Sequence, residues 1–255
     1  QSRALGGYFL FHRADLVQVL VDACRDADVT IHLGQTIDGP TALQQDKYDL
    51  IIAADGLHSQ FRKRLNPQTR AFFTGQVAWR SVVENVISQP PEARVHMGPH
   101  RHVVTYPIRD GRALNMVCIK EQADWSEEGW NHPDDPSILK QEFGDFIDLL
   151  PVFDQVHTLH KWGLFRHPVA SHWAEDNVVI MGDAAHPTLP FLAQGAVMAI
   201  EDAWVLAACF HRHGTKGLGM YQSIRMPRVT RVLAAANANA WKYHLANPIV
   251  RRVAH

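Results

Sequence analysis

Two aspartates carry the clearest chemical signal in this chain. Asp55 closes "YDLIIAADG", and Asp183 follows Gly182 in "VVIMGDAAHP". Each comes directly after a short apolar run, which reads as a buried strand. Both carboxylates therefore stand just past the carboxyl end of a strand, the place where open α/β sheets bind ligands. A carboxylate there can accept hydrogen bonds from sugar or polyol hydroxyls. After Asp183 a long helix opens at Gly195-Ala196. Its first N–H groups and positive dipole end favour negative charge, and its small residues let a flat ligand approach the backbone. A capping Asp and a turn Gly would leave the same trace.

A second set of reactive side chains lies in "HRHVVTYPI". Strand alternation puts His100, His102, Val104 and Tyr106 on one face, with residues four apart separated by about 13 Å. An imidazole that titrates near neutrality can take a proton at working pH. His100, beside a Gly-Pro turn, reads as exposed. The competing arrangement has His102 solvated on an edge strand and Tyr106 in the core. The chain has 16 His, and "HMGPHRH" resembles a metal tract. No Cys or carboxylate accompanies it at ligand spacing, so no metal site is expected. Asp183 and His186 would make a metal-ligating pair, but the apolar elements around them suit a flat organic ligand better. "RKR" at 62–64 reads as a solvated helix face. Trp79 and Phe191 are candidates for lining an aromatic pocket or for packing the core.

The elements that position these residues follow from periodicity. Leu16, Val17, Leu20, Ala23 and Cys24 have helical spacing. A short strand around "VTIHL" and the strand ending at Asp55-Gly56 should follow, then a helix over "SQFRKRL" capped by Ser59. Residues 70–165 read as an antiparallel sheet with one inserted helix near "PSILKQEFGDFIDLLP". Asp110-Gly111 marks a hairpin within it. The chain returns to α/β at Val178, and its last third is helical. The expected segments are 1–69 and 169–213 as two parts of one α/β layer, 70–168 as a β-rich layer, and 214–255 as terminal helices.

Composition narrows the function classes. The 25 Lys plus Arg nearly balance 26 Asp plus Glu, which argues against a nucleic-acid or membrane-surface electrostatic footprint. The apolar fraction of 46% fits a globular fold. No apolar run approaches the ~18 residues a membrane span needs. Cys24, Cys118 and Cys209 form no CxxC, so neither disulfides nor zinc are indicated and a reducing cytoplasm is the simplest compartment.

Together the motifs resemble a known family, the flavin-dependent aromatic hydroxylases, single-component monooxygenases that use FAD and NAD(P)H. "IIAADGLHSQFR" resembles their DG motif and "VVIMGDAAHP" their GD motif. "KWGLFRHPVASHW" and "ANANAWKYHLANP" resemble the salicylate hydroxylase-like branch, which includes 3-hydroxybenzoate 6-hydroxylase. The resemblance covers nearly the whole chain, and its GDAAHP…AQGA…AIEDA block is the specific part. It implies an α/β fold of α+β character: a Rossmann-like FAD-binding layer, incomplete here, interrupted by an antiparallel substrate layer and ending in helices. It implies that Gly182-Asp183 meets the ribityl or ribose hydroxyls of FAD. Gly195 and Ala196 would lie by the flavin's pyrimidine edge, Arg13 would reach the FAD, and Asp55-Gly56 would lie near its pyrophosphate. In the 3-hydroxybenzoate-type enzymes a His and a Tyr four apart meet the substrate. That implies His102 as the base and Tyr106 as an orienting hydrogen-bonding group.

The family also opens with a GxGxxG strand–helix unit that is missing from this sequence. The sequence is therefore expected to be the C-terminal two-thirds of the enzyme. The expected activity is FAD-dependent hydroxylation of a phenolic or aromatic acid with NAD(P)H and O2, with no nucleic-acid partner. A homodimer is an open candidate for the assembly. A hydroxylase of prenylated quinone precursors and a non-catalytic remnant without flavin are the alternatives.

Overall fold

The computed structural model describes residues 11–43, 47–125, 129, 132–189 and 194–243. Phe191, and the residues of "ANANAWKYHLANP" after Tyr243, lie outside them. The elements in chain order are α1 (Arg13–Asp26), β1 (Ile51–Ala53), α2 (Gln60–Leu65), β2 (Phe72–Glu84), β3 (Arg94–Gly98), β4 (Arg101–Ile108), β5 (Ala113–Glu121), β6 (His132–Asp134), α3 (Ser137–Phe143), α4 (Leu150–Phe153), β7 (Leu159–Arg166), β8 (Ala174–Glu175), β9 (Val178–Ile180), α5 (Gly195–His213) and α6 (Leu218–Tyr243).

The strands form two sheets. A small one has the order β1-β9-β8, and a six-stranded one has the order β3-β4-β5-β2-β7-β6. In the small sheet β1 and β9 run parallel, with Ala53 opposite Ile180. The large sheet is antiparallel throughout. The expected hairpin joins β4 to β5, and Arg109, Asp110 and Gly111 all take positive φ there. Ser59 caps α2 as expected, its hydroxyl accepting the Arg62 N–H at 2.9 Å.

Alternation sorts the large sheet into two faces. One carries Val77, Trp79, Val103, Met116 and Cys118 and is covered by α3 and α4 through Leu139, Phe143, Leu149 and Val152. The other carries Ala78, Ile119, Trp162 and Leu164, which pack against Leu189 and against Ala236 of α6. A third cluster joins the small sheet to α5 and α6 through Val179, Ile180, Met198, Leu206 and Tyr221.

Three expectations change. Residues 29–33 form no strand, because no described strand runs beside them to accept a ladder, and Val29, Ile31 and Leu33 are exposed. The β1 run is buried only at its ends, since the middle residue, Ile52, points outward. Trp79 belongs to the core face under α3, with its indole N–H donated to Asp134 at 2.7 Å. Trp162 takes the position on the opposite face.

Candidate functional site

The parallel pairing of β1 and β9 brings the two aspartate motifs together. Both strands end at the same edge, and Met181 donates its N–H to the Ala53 carbonyl at 3.0 Å. Asp55 lies two residues past the end of β1, and Asp183 lies three past the end of β9. Asp55 accepts the Gln60 N–H at 3.2 Å, so in this structure it helps cap α2. Gly56 (φ 78°) and Gly182 (φ 57°) are left-handed, a conformation a side chain would strain.

Asp183 projects into a narrow cleft that Leu57, Trp162, Leu164, Thr188 and Leu189 also line. Asp183 is still exposed on one side, but the cleft walls partly desolvate its carboxyl and raise it above the ordinary range, against the pull of the nearby His186 and Arg13 charges. The Arg13 charge therefore acts on the same site, from the first turn of α1. Gly195 and Ala196 begin α5 as expected. No side chain among the described residues caps that end, so its leading N–H groups remain available.

A cluster behind this edge holds it in place. Asp202, fully buried in α5, accepts the Gly182 N–H at 2.9 Å, the Arg225 Nε–H at 2.7 Å and the His186 Nε2–H at 2.5 Å. Burial works to raise this carboxyl, but the bonds from His186, Arg225 and Gly182 outweigh it and hold the group below its usual range. Arg225 continues to Glu201 at 2.6 Å and to the Met198 carbonyl at 3.1 Å. His186 is thus committed to Asp202 through Nε2 rather than paired with Asp183 as a metal ligand. Its buried Nδ1 has no partner among the described residues.

The expected solvated "RKR" face is corrected at its first member. Arg62 is 4% exposed and donates to the carbonyls of Ala184 (3.0 Å), Ala185 (2.9 Å) and Pro168. A long, forked donor on α2 satisfies two carbonyls of the turn after β9 and one of the segment after β7 at once. The sequence reading also missed Asp202 and Arg225. A signal for Asp202 was present: it falls in register with Met198, Leu206 and Cys209 on the buried stripe of α5.

The second set of residues lies on the sheet face toward α6. His102 is fully buried, its ring 5.2 Å from that of Tyr243 at the end of α6. β4 is flanked by β3 and β5, so the solvated edge-strand arrangement is overturned. His102 pairs with Ile119 and Tyr106 with Asn115, on the face that also carries Val104. His100 does not join them. It sits in the preceding turn at φ 59°, exposed, with Nδ1 2.7 Å from a Glu121 oxygen. His96, which opens the histidine tract, contacts the Thr105 hydroxyl at 3.3 Å on the other face. The tract's histidines thus diverge. Gly214 and Gly217 of "GTKGLGMY" make the turn between α5 and α6: Gly214 caps α5, and a Cβ on Gly217 would lie 2.4 Å from the Cys209 carbonyl, while Gly219 lies within α6. No described helix is long and apolar enough to cross a membrane.

Known proteins resemble this chain in sequence and fold. The family described as "FAD binding domain" matches residues 27–236. A 3-amino-4-hydroxybenzoate 2-monooxygenase of Streptomyces cremeus is 31% identical over 93% of this chain and 63% of its own length. A 3-hydroxybenzoate 6-hydroxylase of Klebsiella oxytoca is 28% identical over 94% of this chain and 65% of its own length. The chain spans under two thirds of the length of both curated relatives. A salicylate hydroxylase solved as a substrate complex shares the fold with a TM-score of 0.76 over 95% of this chain and 69% of that one, at 22% identity. With the match running through both aspartate motifs and the intervening sheet, the chain belongs to the FAD binding domain family, alongside aromatic hydroxylases of the salicylate hydroxylase type.

Proposed function

We propose that the whole protein is an FAD-dependent monooxygenase that hydroxylates a phenolic or aromatic carboxylic acid with NAD(P)H and O2. One observation carries this reading. Asp183 and Thr188 line one side of a cleft, with the uncapped start of α5 beside Thr188, and Trp162 and Leu164 of the sheet face that also bears His102 line the other. These residues fit the cofactor. A cleft-facing carboxylate suits polyol hydroxyls, and an uncapped helix N-terminus suits a ring edge that gains negative charge. Gly56 leaves open space for a close backbone approach. The chemistry that FAD supplies is electron uptake from NAD(P)H and activation of O2.

The chain's own groups do the rest. Asp183 and Gly182 hold hydroxyls, Gly195 and Ala196 present N–H groups, and Arg13 and Asp55-Gly56 flank the phosphate side. His102 takes the phenolic proton at a ring nitrogen, which makes the ring a better nucleophile, and Tyr106 orients the substrate. The packed wall of Ile119, Trp162, Leu164 and Leu189 excludes water. The α/β segments 1–69 and 169–213 would act as the flavin layer, 70–168 as the substrate layer, and 214–255 as the brace behind them.

The test uses the full-length protein, purified and screened with phenolic acids for stimulated NAD(P)H oxidation and a hydroxylated product. Bound flavin with a product carrying one added oxygen is expected. Protein without flavin, or flavin without any stimulation across the phenolic acids, overturns the reading.

A further inference from the structure

A second recess lies outside the cleft already described. Its volume is about 240 Å3, and Pro168, Val169, Pro187, Leu189 and Leu233 form much of its wall. Pro187, Thr188 and Leu189 border the Asp183 cleft as well, so the turn at 187–189 stands between the two spaces. The recess opens at Thr230 and Ala234, which are exposed on α6.

One arginine enters this apolar setting. Arg166 ends β7 and follows Trp162 and Leu164 on the sheet face toward α6. It lies opposite Phe72, and its guanidinium stands 5.5 Å over that ring. The side chain is half-buried and lines the recess. Among the described residues no carboxylate pairs with it, and its buried Nε has no hydrogen-bond partner. The buried arginines Arg62 and Arg225, by contrast, each meet several acceptors. A partly desolvated guanidinium without an acceptor is a place that lacks a negative group. Stacking on Phe72 fixes its plane and leaves the in-plane donors for a carboxylate.

Size and lining set the ligand. Pockets for drug-sized ligands run to roughly 300–1,000 Å3. A recess of about 240 Å3 therefore takes a single ring and not a dinucleotide. Proline and leucine walls favour a flat apolar body, and the guanidinium favours a carboxylate at one end of it. We infer that this recess is a second binding site, apart from the Asp183 cleft, for a small aromatic carboxylate. The carboxylate meets Arg166, and the ring lies against Pro187 and Leu233. Arg166 has no part in the hydroxylase reading, so the site stands or falls separately from it.

The test is calorimetric titration of the full-length, flavin-loaded protein with benzoate, neutral benzamide and acetate. Benzoate bound at the cleft gives an equivalent of its own, so the site is read as the equivalent that depends on Arg166. Arg166→Gln should weaken that equivalent tenfold or more and leave flavin content unchanged. In the wild-type protein it should favour benzoate over benzamide, which lacks the charge, and over acetate, which lacks the ring, by tenfold or more each. Ala234→Leu narrows the mouth on α6 without breaking the helix and should weaken the same equivalent. It decides alone if the Gln variant does not fold. A benzoate isotherm unchanged by Arg166→Gln or by Ala234→Leu overturns the site. So does an Arg166-dependent equivalent that takes acetate or benzamide as well as benzoate. A protein without flavin, or without any benzoate bound at the cleft, sinks the hydroxylase reading and leaves the Arg166-dependent equivalent to be judged by itself.

Discussion

Arg62 Nη1 lies 2.9 Å from the Ala185 carbonyl oxygen, and this one bond ties the helix after Asp55 to the turn after Asp183. The same guanidinium reaches Ala184 and Pro168, so a single side chain sets how the two motifs sit against each other. Burial lowers its pKa, and among the described residues no carboxylate pairs with it to offset the cost, so the fold keeps a costly charge for the sake of three carbonyls. Arg62→Gln should destabilise the protein by about 2–4 kcal/mol, because carbonyls are left buried and unpaired. It should also weaken flavin binding. Denaturant unfolding and an FAD titration check both. Wild-type values in each would show that the bonds do not fix the motif geometry.

Asp202 makes a different demand. Its three partners include the N–H of Gly182, directly before Asp183. Asp202→Asn leaves Arg225 buried beside a neutral group and should cost about 3–5 kcal/mol. The pH dependence has a definite sign. The folded carboxyl is held below its unfolded value, so its contribution is present above the unfolded pKa and is lost as pH falls through the folded one. Unfolding measured from neutrality down into the acid range should show the gap between wild type and Asp202→Asn closing toward low pH. A gap independent of pH would contradict this.

For His102, the full-length His102→Ala variant should keep its flavin while hydroxylation falls by ~100-fold or more, the scale of a lost general base. Its burial against Tyr243 makes a folding control necessary, and His102→Gln provides it with less lost volume. Product formation at the wild-type rate would remove His102 from the chemistry.

The motifs at the two strand ends were readable because each is local: an apolar run, a Gly and an Asp in fixed order. The antiparallel sheet and its hairpin were readable for the same reason, through alternation and Asp110-Gly111. Alternation also separates Trp79 from Trp162, but only once the register shows which face looks toward α6. Arg62, Asp202 and Arg225 were harder, since their partners lie far along the chain and a charged residue on a helix reads by default as solvated. The run at 29–33 failed as a strand because an apolar pattern shows that a segment can pair, not that a partner strand runs beside it.

The proposed FAD-holding edge of Gly182, Asp183 and the start of α5 is tested most directly at Asp183. Its folded carboxyl is raised, so ionisation opposes folding: the favourable state exists below the unfolded pKa and is lost as pH rises through the folded one. At neutral pH Asp183→Asn should therefore raise the melting temperature of the flavin-free full-length protein. It should also weaken FAD binding by ~10–100-fold, the scale of a lost charge-assisted hydrogen bond to a ligand hydroxyl. Equilibrium FAD titration of wild type and Asp183→Asn at neutral pH is the decisive measurement. A more stable variant that binds flavin more weakly is the predicted result; a folded variant with unchanged flavin affinity would contradict the account.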